Sequence, residues 1–291
     1  MVFCEPSPPP SPRGRGSQFK KLSASELEPT EAPATAATLV VVRDGARTWL
    51  VGSGPTPAHG WALACAVRRA TGHAVTDVIN TRAQAELALG NAAFAPARLW
   101  ALGDVAQAMQ RQCPRCLARM KERLGPRAQD LADSMIRVPT LRVDRGAASS
   151  GRLGPFRWWA LERAAGSRTL VLHHPADRTV IAQGLVWMGG VPDLRDTTLT
   201  HLRQSLARLH RITQGRAVLG EAGGVGSPDD VASHLAYLDA LEQAVGEALE
   251  RGDLEAAVPA LAGFAMKPNY GRQHPLNLQR AWRELEPAVF R

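Results

Sequence analysis

No apolar run in the 291-residue chain approaches the ~18 to 20 residues that a membrane span needs, so a transmembrane role is excluded. The first ten residues, Met1 to Pro10, show no positive segment leading into an apolar stretch, so no secretory signal is visible. Four cysteines are too few for a disulfide scaffold, and the default expectation is a reducing, cytoplasmic compartment. Net charge is +8, from 35 Lys plus Arg against 27 Asp plus Glu. The basic residues are nevertheless scattered, with no block of five or six like charges and no recognition-motif spacing, which argues against a nucleic-acid partner. No repeat period appears.

What remains is an ordinary globular composition, 45% hydrophobic and 21% charged. Residues 1–37 are rich in Pro, Ser, Ala and Glu and lack periodicity, so they read as a disordered tail. Their basic residues (Arg13, Arg15, Lys20, Lys21) are matched by Glu5, Glu26, Glu28 and Glu31, which leaves the positive excess to the folded part. A β-branched run, Leu39 to Val42, followed by Asp44-Gly45 predicts a hairpin. Helical spacing follows from Trp61 to Gly72, then a buried strand Thr76 to Asn80, a polar and alanine-rich connection Thr81 to Asn91, and a strand at Arg98 to Ala101. A long helix is predicted from Asp104 to Leu124. Strand candidates are Val138 to Val143, Phe156 to Leu161, Thr169 to His173 and Thr179 to Val186. Leu199 to Ile212 reads as a helix, Ala217 to Leu219 as a strand, Ser227 as the cap of a helix reaching Arg251, and His274 to Leu285 as a last helix. This order predicts two sheets covered by outer helices, in one α/β domain spanning 38–291.

Six segments in this order carry a resemblance: LVGSGPTPAHG (50–60), VTDVINT (75–81), LALGNAAF (87–94), AQGLVWMGGVPDLRD (182–196), AVLGE (217–221) and HPLNLQRAWRELE (274–286). Together they resemble the metallo-β-lactamase-fold hydrolases, and most of all the branch called quinoprotein relay system zinc metallohydrolases. The resemblance implies an αββα sandwich with one or two zinc ions at the sheet edge. Zinc serves that chemistry by bringing bound water to a pKa near 7, which takes imidazole and carboxylate ligands converging from separate loops.

The family's first ligand run is His-x-His-x-Asp-His, placed directly after the strand that ends in Asn-Thr. Here Arg82 and Gln84 stand for its first two histidines, Glu86 for the aspartate and Leu87 for the last histidine. By the same resemblance Ala165 stands where an Ala-His-Thr-Asp segment has its histidine. Gly184 replaces the bridging aspartate, Glu221 the histidine of a Pro-Gly-His-Gly turn, and Gly52 an aspartate before Thr-Gly. Arg82 would set a permanent cation in the site, where like charges at ~4 Å cost about 1 to 4 kcal/mol. Only Glu86 and Glu221 retain a donor, and hard oxygen donors suit other metals. Arg82, Glu86 and Glu221 either pair as a salt-bridge cluster in the vacated site or stand solvated on their loops.

The remaining candidates are bland by comparison. Cys113 and Cys116 form a single CxxC inside a predicted helix, without the second pair that a structural zinc needs, and read as packing on an apolar helix face. His173-His174 reads as a surface pair at a turn, with the two rings on opposite faces of a strand. The loop Gly220 to Gly226 lacks the phosphate-loop lysine. No Gly-x-Ser-x-Gly elbow is present, and Ser53 has no identifiable base. Trp158-Trp159 supply one core and one edge contact. The expectation is a degenerate metallo-hydrolase-like protein without zinc or catalytic residues, binding or regulating an unknown protein or small molecule. The alternative is a hydrolase of esters, thioesters or lactams whose rebuilt site uses Glu86, Glu221 and one of His173 or His174.

Overall fold

Valine-rich strands need partners on both edges, and the first sheet is built around one such run. The computed structural model describes residues 19–22, 37–131, 135–145 and 148–289. In it β1 (Phe19–Leu22) lies antiparallel on β2 (Leu39–Asp44), which turns tightly into β3 (Arg47–Val51) with Asp44 opposite Arg47. Gly45 takes the positive φ that this two-residue loop demands. Phe19–Leu22 depart from the disordered tail expected over 1–37, because backbone pairing to the edge of β2 needs no apolar side-chain pattern. Residues 1–18 and 23–36 of that tail lie outside the described residues.

The chain divides into two compact units, Met1–Ala160 with Leu170–Asp177, and Leu161–Thr169 with Arg178–Arg291. In the first, α1 (Pro57–Thr71) carries the chain from β3 to the parallel strand β4 (Asp77–Ile79). The Thr56 side chain caps its start, and Gly72 at φ 73° ends it. Val41, Leu50, Leu63, Val67, Val78, Phe94 and Leu99 form the core between this helix and the strands. Each such burial contributes roughly 1.5–3 kcal/mol. The connection predicted after β4 contains a short helix, α2 (Ala85–Ala88), and a 3-10 segment (Leu89–Phe94). β5 (Arg98–Ala101), α3 (Gly103–Leu124) and β6 (Leu141–Arg142) complete the sheet in the order β1-β2-β3-β4-β5-β6. The strand predicted over Val138 to Val143 shrinks to two residues.

The second sheet contains β7 (Ser150–Leu153), β8 (Phe156–Ala164), β9 (Ser167–His174), β10 (Thr179–Ile181), β11 (Ala217–Leu219) and β12 (Val225–Gly226). Its order is β12-β11-β10-β9-β8-β7. β7 has no strong sequence signal; it pairs with β8, and Gly151 leaves room for Trp158, its neighbour across the ladder. In the second unit α4 (Leu199–Thr213) and α5 (Pro228–Glu250) pack together, and Leu202, Leu206 and Leu209 of the first and Leu238, Leu241 and Val245 of the second are fully buried. The last helix, α6 (Tyr270–Val289), starts one turn before the predicted His274 and continues through Pro275. No helix among the described residues is long and apolar enough to cross a membrane.

Candidate functional site

The loop after β4, Asn80 to Leu87, is held by buried polar bonds. Leu87 offers its carbonyl to three donors: Ser53 N at 2.8 Å, Ser53 Oγ at 3.2 Å and Asn80 Nδ2 at 3.0 Å. Asn80 and Asn91 exchange amide bonds at 3.1 and 2.7 Å, and both are fully buried. Gly52 N donates to Ile79 O, and Gly90 N to Gly54 O, both at 2.9 Å. Gly90 passes so close to Ser53 that a Cβ there would strike the Ser53 carbonyl oxygen. The three first motifs of the sequence are thus one hydrogen-bonded unit.

Of the side chains at positions 82, 84, 86 and 87 of this loop, none is an imidazole and Glu86 alone is a carboxylate. Arg82 is buried and donates from Nη2 to Gln84 Oε1 at 2.9 Å. A guanidinium has no lone pair to give a metal. Leu87 is fully buried in the apolar core. Glu86 is half-buried, and its Oε2 is enclosed without a hydrogen-bond partner.

Two other expected ligand positions, Gly184 and Glu221, fall on neighbouring loops of the second unit. Ala182 N donates to Leu219 O, Glu221 N to Val186 O at 2.7 Å, and Met188 N to Ala222 O at 3.0 Å. Gly184 sits at φ 81°, and Glu221 is buried. Ala165 lies on the exposed turn between β8 and β9; the buried residue there is Arg163, which donates to the Asp193 and Arg195 carbonyls. The 184–188 loop is pinned from α5. Trp187 N donates to His234 Nε2 at 3.0 Å, which leaves Nδ1 to donate to Asp230 O at 2.9 Å. Burial pushes the His234 pKa down to about 4, with Lys267 adding to the effect and Asp230 opposing it.

Several polar groups carry weight that the motifs alone did not reveal. Asp77, fully buried on β4, accepts from Arg47 at 2.7 and 3.0 Å, Trp100 Nε1 at 2.8 Å, Arg98 at 3.0 Å and Thr76 at 2.8 Å. Burial alone would raise its pKa, but these donors outweigh it and hold the carboxyl below its usual value. The motif HPLNLQRAWRELE lays one helix face along residues 191–199. Asn277 bonds Pro192 O and Leu194 N, Arg280 bonds Asp193, and Glu284 accepts from Leu199 N at the start of α4. Tyr237 OH joins His274 Nδ1 at 3.0 Å and Asn277 Nδ2 at 3.1 Å. The visible signal was a polar residue on every turn of an otherwise amphipathic helix.

His173 and His174 are buried, not the surface pair expected, because both sit within β9 against aromatic rings. His173 stacks with Trp159, and His174 packs edge-on to Phe156 with Nδ1 2.7 Å from Asp177. Trp158 is buried and Trp159 half-buried, as read. Val225 and Gly226 of the glycine loop pair with β11, and Ser227 and Asp230 close a capping box. Cys113 and Cys116 are both free thiols on α3, the first buried and the second exposed, while Cys65 on α1 is disulfide-bonded. Burial, and next to it the Cys116 charge, push the Cys113 thiol up to about 11.

No protein-family model and no curated protein sequence matches the chain. Solved structures do. A metallo-β-lactamase from Pontibacter korlensis superposes with a TM-score of 0.58 at 10% identity, covering 79% of this chain and 97% of that one. The chain has the metallo-β-lactamase fold. A metallo-β-lactamase from Erythrobacter litoralis gives 0.57 at 14% identity over 77% of this chain and 91% of that one. Another, from Pseudomonas aeruginosa in a mono-zinc form, gives 0.56 at 11% identity over 78% and 97%. Zinc sites take three or four N, S or O donors. Among the described residues, no three His, Cys, Asp or Glu side chains are grouped to hold a metal ion. On a metallo-β-lactamase fold, a loop with an arginine, a glutamine, a single carboxylate (Glu86) and a leucine at these positions offers no imidazole and does not fit the donor set that zinc takes.

Proposed function

We propose that this chain is a metallo-β-lactamase-fold protein that acts by binding, as a regulatory or scaffold partner, and not by zinc hydrolysis. The observation carrying this reading is the loop Asn80 to Leu87. Its backbone is braced by three bonds to one carbonyl and by the Asn80–Asn91 pair. Its side chains are a buried Arg82 bonded to Gln84 and a core Leu87. The bracing supports a loop whose side chains at positions 82, 84, 86 and 87 include no imidazole and a single carboxylate, Glu86. A buried guanidinium also works against a divalent ion, since like charges at ~4 Å cost about 1 to 4 kcal/mol. Retention of the scaffold favours a partner that recognises the fold's surface, such as a zinc-holding homologue.

The test is elemental analysis of the purified full-length protein after dialysis, together with an ester, thioester and lactam panel with and without added Zn²⁺. The expected result is less than stoichiometric zinc and no turnover. One zinc per chain with metal-dependent hydrolysis overturns the reading. The alternative, a rebuilt hydrolase site using Glu86, Glu221 and His173 or His174, receives less support because both histidines are buried against aromatic rings.

A further inference from the structure

We propose that α3 carries a soft-metal site in which Cys113 and Cys116 bind one Cu(I) ion as paired thiolates, with Met109 and Met120 beside them. The sequence along this helix reads Met109-x3-Cys113-x2-Cys116-x3-Met120. Spacings of four, three and four place all four sulfur side chains on one stripe of an α-helix. They include two of the chain's six methionines and the two free cysteines among the described residues. Met109 and Cys113 are buried, Met120 is half-buried, and Cys116 is exposed. Met120 packs against the buried Leu89, Leu117 and Leu131, so Cys116 is the one member of the stripe open to solvent and the point of entry.

Geometry favours an ion over a disulfide. Residues three apart on a helix have Cα atoms about 5 Å apart, from a rise of ~1.5 Å per residue and a radius of ~2.3 Å. Their Cβ atoms stand ~5 to 6 Å apart. A disulfide wants its Cβ atoms within ~4.5 Å, so bonding the two sulfurs directly would deform the helix. An ion between the sulfurs fills that excess distance.

The donor set selects the ion. Among the described residues no group of three His, Cys, Asp or Glu forms here, so a tetrahedral zinc site is not assembled. Thiolates with thioethers suit Cu(I), which is satisfied by few soft ligands. Binding releases two protons, and two thiolates around one Cu(I) leave one negative charge. Arg115 and Arg119, both exposed on the same helix, lie next to Cys116 in the chain or one turn away and offset that charge.

The experiment is an anaerobic titration of the full-length protein with Cu(I) held by a chromophoric chelator. The expected result is ~1 Cu(I) per chain withdrawn from the chelator, as a one-site exchange with released protons. Cys116→Ser, at an exposed position, and Cys113→Ser should each abolish this, while Met120→Leu weakens it. Circular dichroism identifies any variant that fails to fold. No withdrawal by the wild-type protein overturns the proposal. So does unchanged binding by Cys116→Ser, or by the Cys113→Ser/Cys116→Ser double variant, which would place the ion on other residues.

Discussion

His234 supplies the sharpest test of how the second unit is held. Its ring is 1% exposed, lies parallel to Trp187 at 10°, and bridges the Trp187 N–H and the Asp230 carbonyl. A second proton on Nε2 would break the bond from Trp187 and bury a charge, which is why the folded pKa falls from 6.5 to about 4. Between those two values the unfolded chain binds the proton and the folded chain does not. Stability from this residue is therefore complete above pH ~6.5 and is lost as pH falls toward ~4. At ~1.4 kcal/mol per pH unit the full loss is about 3 kcal/mol, of which roughly 2 kcal/mol has gone by pH 5. NMR titration of the histidine ring nitrogens should find one histidine that stays neutral, as the Nδ1–H tautomer, down to about pH 4. Urea unfolding at pH 7.5 and pH 5 should show a smaller pH-dependent loss for His234→Gln than for wild type, by about 2 kcal/mol. A ring that titrates above pH 6, or equal losses in both proteins, would refute the reasoning.

Three further outcomes follow, two from the first unit and one, at Gly246, from the second. Gly90→Ala drives a methyl group into the Ser53 carbonyl oxygen, so thermal melts should show a loss of ~3 kcal/mol or failure to fold. Gly246→Ala, which meets nothing on α5, should by contrast raise stability by about 0.5–1 kcal/mol. Asp77→Ala leaves the partners of a fully buried carboxylate unpaired. Because the Arg47 and Arg98 side chains are 36% and 49% exposed and can rehydrate, the expected loss is about 3 kcal/mol, near the low end for a broken buried pair. The wild-type contribution of Asp77 is present above pH ~4 and disappears as pH falls through its lowered folded pKa, which acid unfolding of the two proteins would resolve.

Much of the fold was legible because its signals are local. The β2–β3 hairpin follows from a valine run and Asp44-Gly45, and α5 from Ser227 and its acidic first turn. The donor types at Arg82, Gln84, Glu86 and Leu87 were legible too, since a side chain's donor atoms are a property of its identity. Burial was harder to read. His173 and His174 look like a turn-flanking polar pair, and only the rings of Trp159 and Phe156 turn them inward. Ala165, which the resemblance puts at a histidine position, lies on the exposed turn between β8 and β9, and Arg163 is the buried residue there. Asp77 sits unremarked in VTDVINT, its four donors drawn from β3, β5 and the residue before it.

The order of residues alone determined which donor atoms stand at positions 82, 87 and 184, since no folding can give an arginine, a leucine or a glycine the lone pairs of an imidazole. Tertiary structure alone decided what the remaining polar groups do. Whether Asp77, Asn80, His234 or Asn277 is a solvated side chain or a buried anchor depends on partners brought from distant segments. Hydrogen bonds of that kind form only after the strands and helices have packed, and one-dimensional spacing does not record them.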